Sequence, residues 1–313
     1  MIEAKIYSPI TDTLRWNEFP AASRISSILF QRSYMDYHAD RFADCSLMLY
    51  KGRRLMAILP GCVSGDTFAS HAGLTYGGLI TSPRATIEDV VESFQAANQL
   101  LRDRGIKRVV YKPTPYIYHR IPADEDLYAL TNVCHARLAS RAISSAISSE
   151  NRPRMFDIRR SGVRKAAKAG ITIRRSDDFA PFWQLLTDNL RARHNTAPVH
   201  TLDEISRLAA AMPDAIRLHV AELDGRCLAG TVIYLSDRVA HAQYISASPE
   251  GRDCGALDLL FAELIQKEYQ SVPWFDFGIS TEEAGTVLNH GLIYQKEGFG
   301  GRGICYDCYT YTL

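Results

Sequence analysis

A lone lysine sits in a glycine-rich stretch near the end of the chain. In "DFGISTEEAGTVLNHGLIYQKEGFGGRG", residues 276–303, Lys296 lies between Gln295 and Glu297 with glycines on both sides. Aromatic and apolar residues run through the stretch. The glycines are therefore read as tight turning and close backbone approach, and the expectation is a folded loop that presents one amine to chemistry. The plainer alternative is a surface lysine in a turn. A second concentration of charge is "RRSGVRKAAKAGITIRR", residues 159–175, with Arg159, Arg160, Arg164, Lys165, Lys168, Arg174 and Arg175. Such a run is either a solvated helix face or a set of guanidinium forks for a diphosphate or an RNA backbone.

Other segments bear chemistry less directly. "LTYGGLITS" places Tyr76 before two glycines, where a ligand can approach the backbone or a strand is merely irregular. "YKPTPYIYHRIPADEDLYAL" carries Tyr116 in a stiff, aromatic loop suited to a pocket wall. His38, His71, His119, His194, His200, His241 and His290 could each act as a base, and nothing in the sequence selects one. Cys305 and Cys308 have C-x-x-C spacing without a second pair or a His-x-x-x-His. They alternate with "YTYT" as a strand would, so no metal is expected. "PEGRDCGALDLL" resembles the Arg/Gln-x-x-Gly-x-Gly/Ala turn that cradles a coenzyme A pyrophosphate at a helix start in GNAT acetyltransferases. Arg252 and Gly255 match, and Leu257 stands where a small residue belongs.

The elements that must hold these residues follow from pattern. With 313 residues, 46% apolar, 23% charged and a net charge of +1, the composition is that of an ordinary globular protein, not of a disordered or fibrous one. Near-neutrality argues against a dedicated nucleic-acid binder. The chain lacks the roughly 18 consecutive apolar residues of a membrane span, its start does not read as a signal peptide, and its seven scattered cysteines suit a reducing compartment. A cytoplasmic location is expected.

"SLMLYKGRRLMAILPGCV" and "RLHVAELDGRCLAGTVIYL" both read strand, Gly-containing turn, strand. Each is followed by a further strand segment, an amphipathic helix (about 86 to 104, and about 255 to 269) and a last strand, "KRVVYKP" or "WFDFG". This repetition predicts two related α/β domains with mixed sheets, 1–150 and 151–313, with a cleft between them. Two more helices are expected in "DDFAPFWQLLTDNLRARH", with Asp177 or Asp178 as its cap, and in "HTLDEISRLAAAM", where Thr201 and Glu204 have capping-box spacing.

"RRSGVRKAAKAG", "HAQYISASPEGRDCGALDLLFAELI", "WFDFG" and "LIYQKEGFGG", in this order, resemble the second half of the Fem-type (FemABX-like) peptidyl transferases and related tandem GNAT acyltransferases. "KPTPYIYHRIPADEDLYAL" is similar to the end of their first half, particularly in proteins of polysaccharide and cell-envelope synthesis. The resemblance implies two tandem GNAT-like domains that transfer an acyl or aminoacyl group onto an amine. The donor would be acyl-coenzyme A or, alternatively, aminoacyl-tRNA, and the acceptor a nucleotide-linked amino sugar or another envelope precursor. The family's lysine that steadies the reacting carbonyl corresponds to Lys296 in "KEGF".

Acyl transfer to an amine passes through a tetrahedral oxyanion, for which a fixed cation is suited. The amine must also shed a proton, and Asp276 and Tyr244 are the candidates nearest the reaction centre. Arg160 and Arg164 would hold acceptor phosphates, Tyr76 and Tyr116 would line the first-domain side of the cleft, and Arg252 with Gly255 would hold coenzyme A. No activated nucleophile is apparent, so direct transfer without a covalent enzyme intermediate is expected. The competing class is a silent protein that binds a nucleotide or RNA through the basic segment.

Overall fold

A computed structural model describes residues 1–313, the side chain of His194 excepted. The chain divides into two compact units. The first comprises Met1–Ile143, Thr281–Val287 and Cys305–Leu313, the second Ser144–Ser280 and Leu288–Ile304. The division is therefore not a single cut near residue 150, because two late segments belong with the first unit.

In the first unit the expected hairpin forms from Leu47–Lys51 and Arg54–Leu59, with Ile2–Ile6 and Ile80–Thr81 completing a four-stranded sheet. The helix Ile87–Asp103 lays Val90, Phe94, Ala97 and Leu101 into the core with Leu47, Leu49 and Ala57. It starts where Thr86 and Asp89 form a capping box, which satisfies two of the N–H groups left over at a helix start. Tyr309 to Thr312, Arg108–Tyr111 and Thr67–Ala69 form a second sheet. The stretch read as one further strand is split into Thr67–Ala69 and Ile80–Thr81.

The second unit holds a sheet in the order Thr172–Ser176, Ile216–Leu223, Arg226–Leu235, Val239–Ala247, Trp274–Ile279, and then the strand that enters this unit at Ser144. Its neighbours are antiparallel except for one pair. Val239–Ala247 and Trp274–Ile279 run parallel, joined by a crossover that includes the helix Ala256–Glu263, as parallel strands require. Leu260, Phe261 and Leu264 of that crossover pack on Ala240, Phe275 and Phe277 of the sheet. The basic segment forms the helix Asp157–Lys168, whose Ala166 joins the same core. Ala180–His194 and Leu202–Ala211 are the two additional helices, the second opened by the Thr201–Glu204 capping box. Asp178 does receive the Ala180 N–H at 3.0 Å, one residue ahead of the position expected for a cap.

The parallel pair decides where chemistry can occur. It holds for three residues, Val239 with Trp274, Ala240 with Phe275 and His241 with Asp276, after which the strands part. Val239–Ala247 carries an extra residue against its other neighbour, where Val232 faces Tyr244 and Ile233 faces Ala242. Trp274–Ile279 slips register between Asp276 and Ile279. Bulges bend strands and turn backbone groups out of the ladder, so the pairing of these two strands ends just beyond His241 and Asp276.

Candidate active site

Lys296 reaches the backbone just beyond this last pair, and the structure corrects the expectation of a loop. Asn289 accepts the Leu292 N–H at 2.9 Å and so caps the helix His290–Gly298, which carries Lys296 in its last turn. One good cap outweighs the glycine at position 291 within so short an element. The side chain is buried, with the residue only 4% exposed, and its ammonium donates to the carbonyls of Gly278 and Ile279, each at 2.8 Å. Burial lowers its pKa from 10.5 to about 8, while Asp276 pulls in the other direction. A surface lysine in a turn is thereby excluded. Of its three N–H donors two are engaged by these carbonyls, and the third has no partner among the described residues.

Asp276 is fully buried. Its Oδ2 receives His241 Nδ1 at 2.8 Å, and its Oδ1 receives the Gly278 N–H at 3.1 Å together with the Ser144 hydroxyl. A carboxylate with no exposed surface and three donors on its oxygens is not placed to meet a substrate amine, as the sequence reading expected of it. What it does is hold an imidazole. His241 is the residue that sequence reasoning could not select. Its side chain is 12% exposed, and with Nδ1–H directed at Asp276 the neutral ring presents Nε2 as a lone-pair acceptor. Gly278 has φ +76°, a conformation costly for other residues. A Cβ there would stand 3.3 Å from His241 Cε1, so the glycine also leaves room beside the ring.

The other expected residues are placed differently. The Tyr244 hydroxyl is hydrogen-bonded to His200 Nδ1, with Trp183 edge-on at 5.0 Å between centroids. Arg160 is ion-paired with Asp157 on its own helix, and Arg164 is exposed. Tyr76 belongs to the first unit and is buried, bonded to Ser27 Oγ at 2.9 Å and packed on Phe30 and Tyr118, so it is core rather than pocket wall. Tyr116, also in the first unit, is 54% exposed. Cys305 and Cys308 lie three apart on the strand Arg302–Thr312, which sends them to opposite faces.

Residues 153–284 match the family described as an acetyltransferase (GNAT) domain. No curated protein matches the chain. Among solved structures it is similar to FemX, with a TM-score of 0.70 and 11% identity over 99% of this chain and 97% of that one. It is also similar to the C-terminal domain of a protein described as a lysylphosphatidylglycerol synthetase from Agrobacterium fabrum, with a TM-score of 0.63 and 14% identity over 97% and 92% of the two chains. A tandem GNAT protein of the clavulanic acid biosynthesis pathway aligns at a TM-score of 0.50 and 12% identity over 100% and 98%. Residues 153–284 thus carry the GNAT domain match, and the chain as a whole has the fold of FemX and of the tandem GNAT proteins.

Within this fold the turn expected to hold coenzyme A is closed by its own hydrogen bonds and packed against a neighbouring helix. Ser248 caps the short helix Pro249–Cys254 by accepting the Gly251 N–H at 2.9 Å, and its carbonyl takes the Arg252 N–H at 2.9 Å. Gly255 N–H bonds to the Arg252 carbonyl, and the Arg252 guanidinium donates to Ala247 O at 2.7 Å. The close approach that Gly255 permits is used by the neighbouring helix: a Cβ there would lie 2.5 Å from the Gly162 carbonyl oxygen. The first turn of Ala256–Glu263 already has an anion of its own, the buried Asp258, paired with Arg159 at 2.6 Å. Burial raises the Asp258 carboxyl above its ordinary value, while Arg159 opposes that rise.

Proposed function

We propose that this chain is an N-acyltransferase that moves an acyl or aminoacyl group onto a primary amine, with Lys296 donating to the reacting carbonyl. The observation that carries the reading is the buried ammonium at the parted strands, held by two carbonyls with one N–H to spare. The amine nitrogen attacks the acyl carbon, a C–N bond forms, and the carbonyl electron pair moves to oxygen, where the third Lys296 N–H stabilises it. Collapse re-forms the carbonyl and breaks the bond to the leaving group, which departs with a proton. A preorganised donor of this kind lowers the barrier by about 3 to 4 kcal/mol, because it is held in place before the charge develops.

Of the two donor classes, the filled turn at Gly255 favours aminoacyl-tRNA over acyl-coenzyme A. The helix Asp157–Lys168 packs directly on Gly255, and the Arg159–Asp258 pair stands at the start of the next helix. The acceptor class is an amine on a cell-envelope or polysaccharide precursor, such as a nucleotide-linked amino sugar. The test gives the purified protein radiolabelled aminoacyl-tRNAs in one series and radiolabelled acetyl-coenzyme A in another, with UDP-linked amino sugars and simple primary amines as acceptors. Label transferred to an amine from tRNA, and not from coenzyme A, is expected. Equal or better transfer from coenzyme A would overturn the choice of donor. No transfer from any donor would overturn the enzyme reading.

A further inference from the structure

A substrate amine that attacks a carbonyl must lose a proton, and the described residues contain one imidazole prepared to take it. Among them, His241 alone is hydrogen-bonded to a fully buried carboxylate. The remaining described histidines are engaged otherwise or differently placed, His135 being exposed in the first unit at positive φ. His219 bonds to Tyr269 at 2.8 Å and His200 to Tyr244. His38 and His71 stack on one another with centroids 5.1 Å apart, and His119 meets the Thr114 carbonyl at 3.1 Å. His290 lies exposed at a helix start.

We infer that His241 Nε2 accepts the proton of the attacking amine, and that Asp276 and Ser144 act on the reaction only by holding that ring. Three independent observations converge on it. The first is orientation: Asp276 Oδ2 receives Nδ1 at 2.8 Å, which selects the tautomer with its lone pair on Nε2. Asp276 is itself immobilised, since Gly278 N–H and the Ser144 hydroxyl occupy its other oxygen. The second is place, because His241 and Asp276 are the last paired residues before the strands part. The third is access: no described residue hydrogen-bonds to Nε2, and Gly278 has no side chain to cover the ring. Lys296 reaches the same turn of backbone, through the carbonyls of Gly278 and Ile279. An oxyanion donor and a proton acceptor are thus brought to one four-residue segment of strand, Asp276 to Ile279.

The step balances without any further reactant. The amine N–H proton passes to Nε2 as the C–N bond forms, and the imidazolium returns that proton to the leaving oxygen or sulfur as its bond to carbon breaks. The enzyme ends in the protonation state in which it began.

This inference rests on the acyl-transfer reading, so its test compares failures. Wild type, His241→Ala, His241→Gln, Asp276→Asn and Lys296→Met are assayed side by side for transfer of radiolabelled aminoacyl groups from tRNA to a UDP-linked amino sugar, with and without added imidazole. Thermal melting confirms that each variant is folded, and His241→Gln serves if the alanine variant is not. Removing a general base lowers kcat by about 100- to 10,000-fold, so both His241 variants are expected to lose that much with KM little changed. Imidazole should restore part of the rate to His241→Ala and none to Lys296→Met. Asp276→Asn should shift the His241 side-chain nitrogen resonances away from the Nδ1–H tautomer in NMR spectra and lower kcat with KM unchanged. If His241→Ala and His241→Gln keep kcat within a few-fold of wild type while Lys296→Met collapses, the proton-acceptor assignment is wrong and the transfer reading stands. If wild type transfers nothing above the Lys296→Met background, both fall together.

Discussion

Replacing Lys296 by Met separates two consequences of one buried charge, and both follow from the geometry. In the folded protein burial lowers the lysine pKa from 10.5 to about 8. Each tenfold change in proton affinity corresponds to about 1.4 kcal/mol, so holding the ammonium in place costs the native state about 3 kcal/mol at pH 7. The same ammonium satisfies the Gly278 and Ile279 carbonyls, and a buried group left without its partner costs about 1 to 3 kcal/mol. At neutral pH these terms nearly cancel, and Lys296→Met should melt close to wild type. Between pH 8 and 10.5 the unfolded chain still binds the lysine proton while the folded chain has released it, so wild-type stability gains with rising pH in that window. Relative to Lys296→Met, the wild type should gain about 2 to 3 kcal/mol between pH 7 and pH 10. Groups that titrate alike in both proteins drop out of the comparison. Urea denaturation at the two pH values measures this difference, which should survive in a buffer free of substrates. Activity is the second consequence: loss of the oxyanion donor should lower kcat by about 100- to 1,000-fold. Stability curves that stay parallel from pH 7 to pH 10 would refute the buried, charged lysine, whatever the activity did.

Other perturbations have equally definite signs. Gly278→Ala forces a side chain into positive φ and against His241 Cε1; it should cost about 1 to 2 kcal/mol in urea denaturation and lower kcat more than it raises KM. Arg159→Met strands the buried Asp258 carboxylate and should destabilise the protein by about 3 to 5 kcal/mol, with the loss shrinking in acid as Asp258 takes a proton. Asp126, buried in the first unit and bonded to Tyr111 at 2.7 Å, has its carboxyl pushed up to about 7 by burial. Because the folded form holds that proton more tightly than the unfolded chain, Asp126 costs stability as pH rises from about 4 to 7. Asp126→Asn should therefore remove that slope from a plot of stability against pH. In the basic segment Arg159, Arg160 and Arg174 are paired with Asp258, Asp157 and Glu222. Substituting Arg159 should leave the salt dependence of any tRNA binding unchanged, whereas the exposed Arg164 should reduce its slope by about one if it meets a phosphate.

Much of the fold was legible because its signals are local. The two Gly-turned hairpins, the amphipathic faces of Ile87–Asp103 and Ala256–Glu263, and the Thr201–Glu204 capping box each lie within a short window of sequence. The site was legible only in part. Lys296 stands out as the lone lysine among glycines, but the density of glycine hides the single Asn289 cap that starts its helix. Tyr76 and Asp276 have the residue types of contact residues, which sequence alone cannot distinguish from interior ones. Burial, which depends on neighbours far away in sequence, put them in the interior. At the Arg252–Gly255 turn the close approach that Gly255 permits is used by Gly162, 93 positions earlier in the chain, which no local pattern could reveal.

By itself the sequence determined the order of strands and helices, the class of fold and the one lysine worth suspecting, because periodicity, turns and caps are written in neighbouring residues. Only tertiary structure decided the pairing of His241 with Asp276. Thirty-five residues separate them, and they meet because a crossover helix makes two strands parallel in one particular register. A shift of that register by one residue would turn either side chain to the other face of the sheet. The sequence trace of the pair is an acidic residue inside the apolar strand Trp274–Ile279 and a histidine in the mixed strand Val239–Ala247, and it gains meaning only when the strands lie side by side.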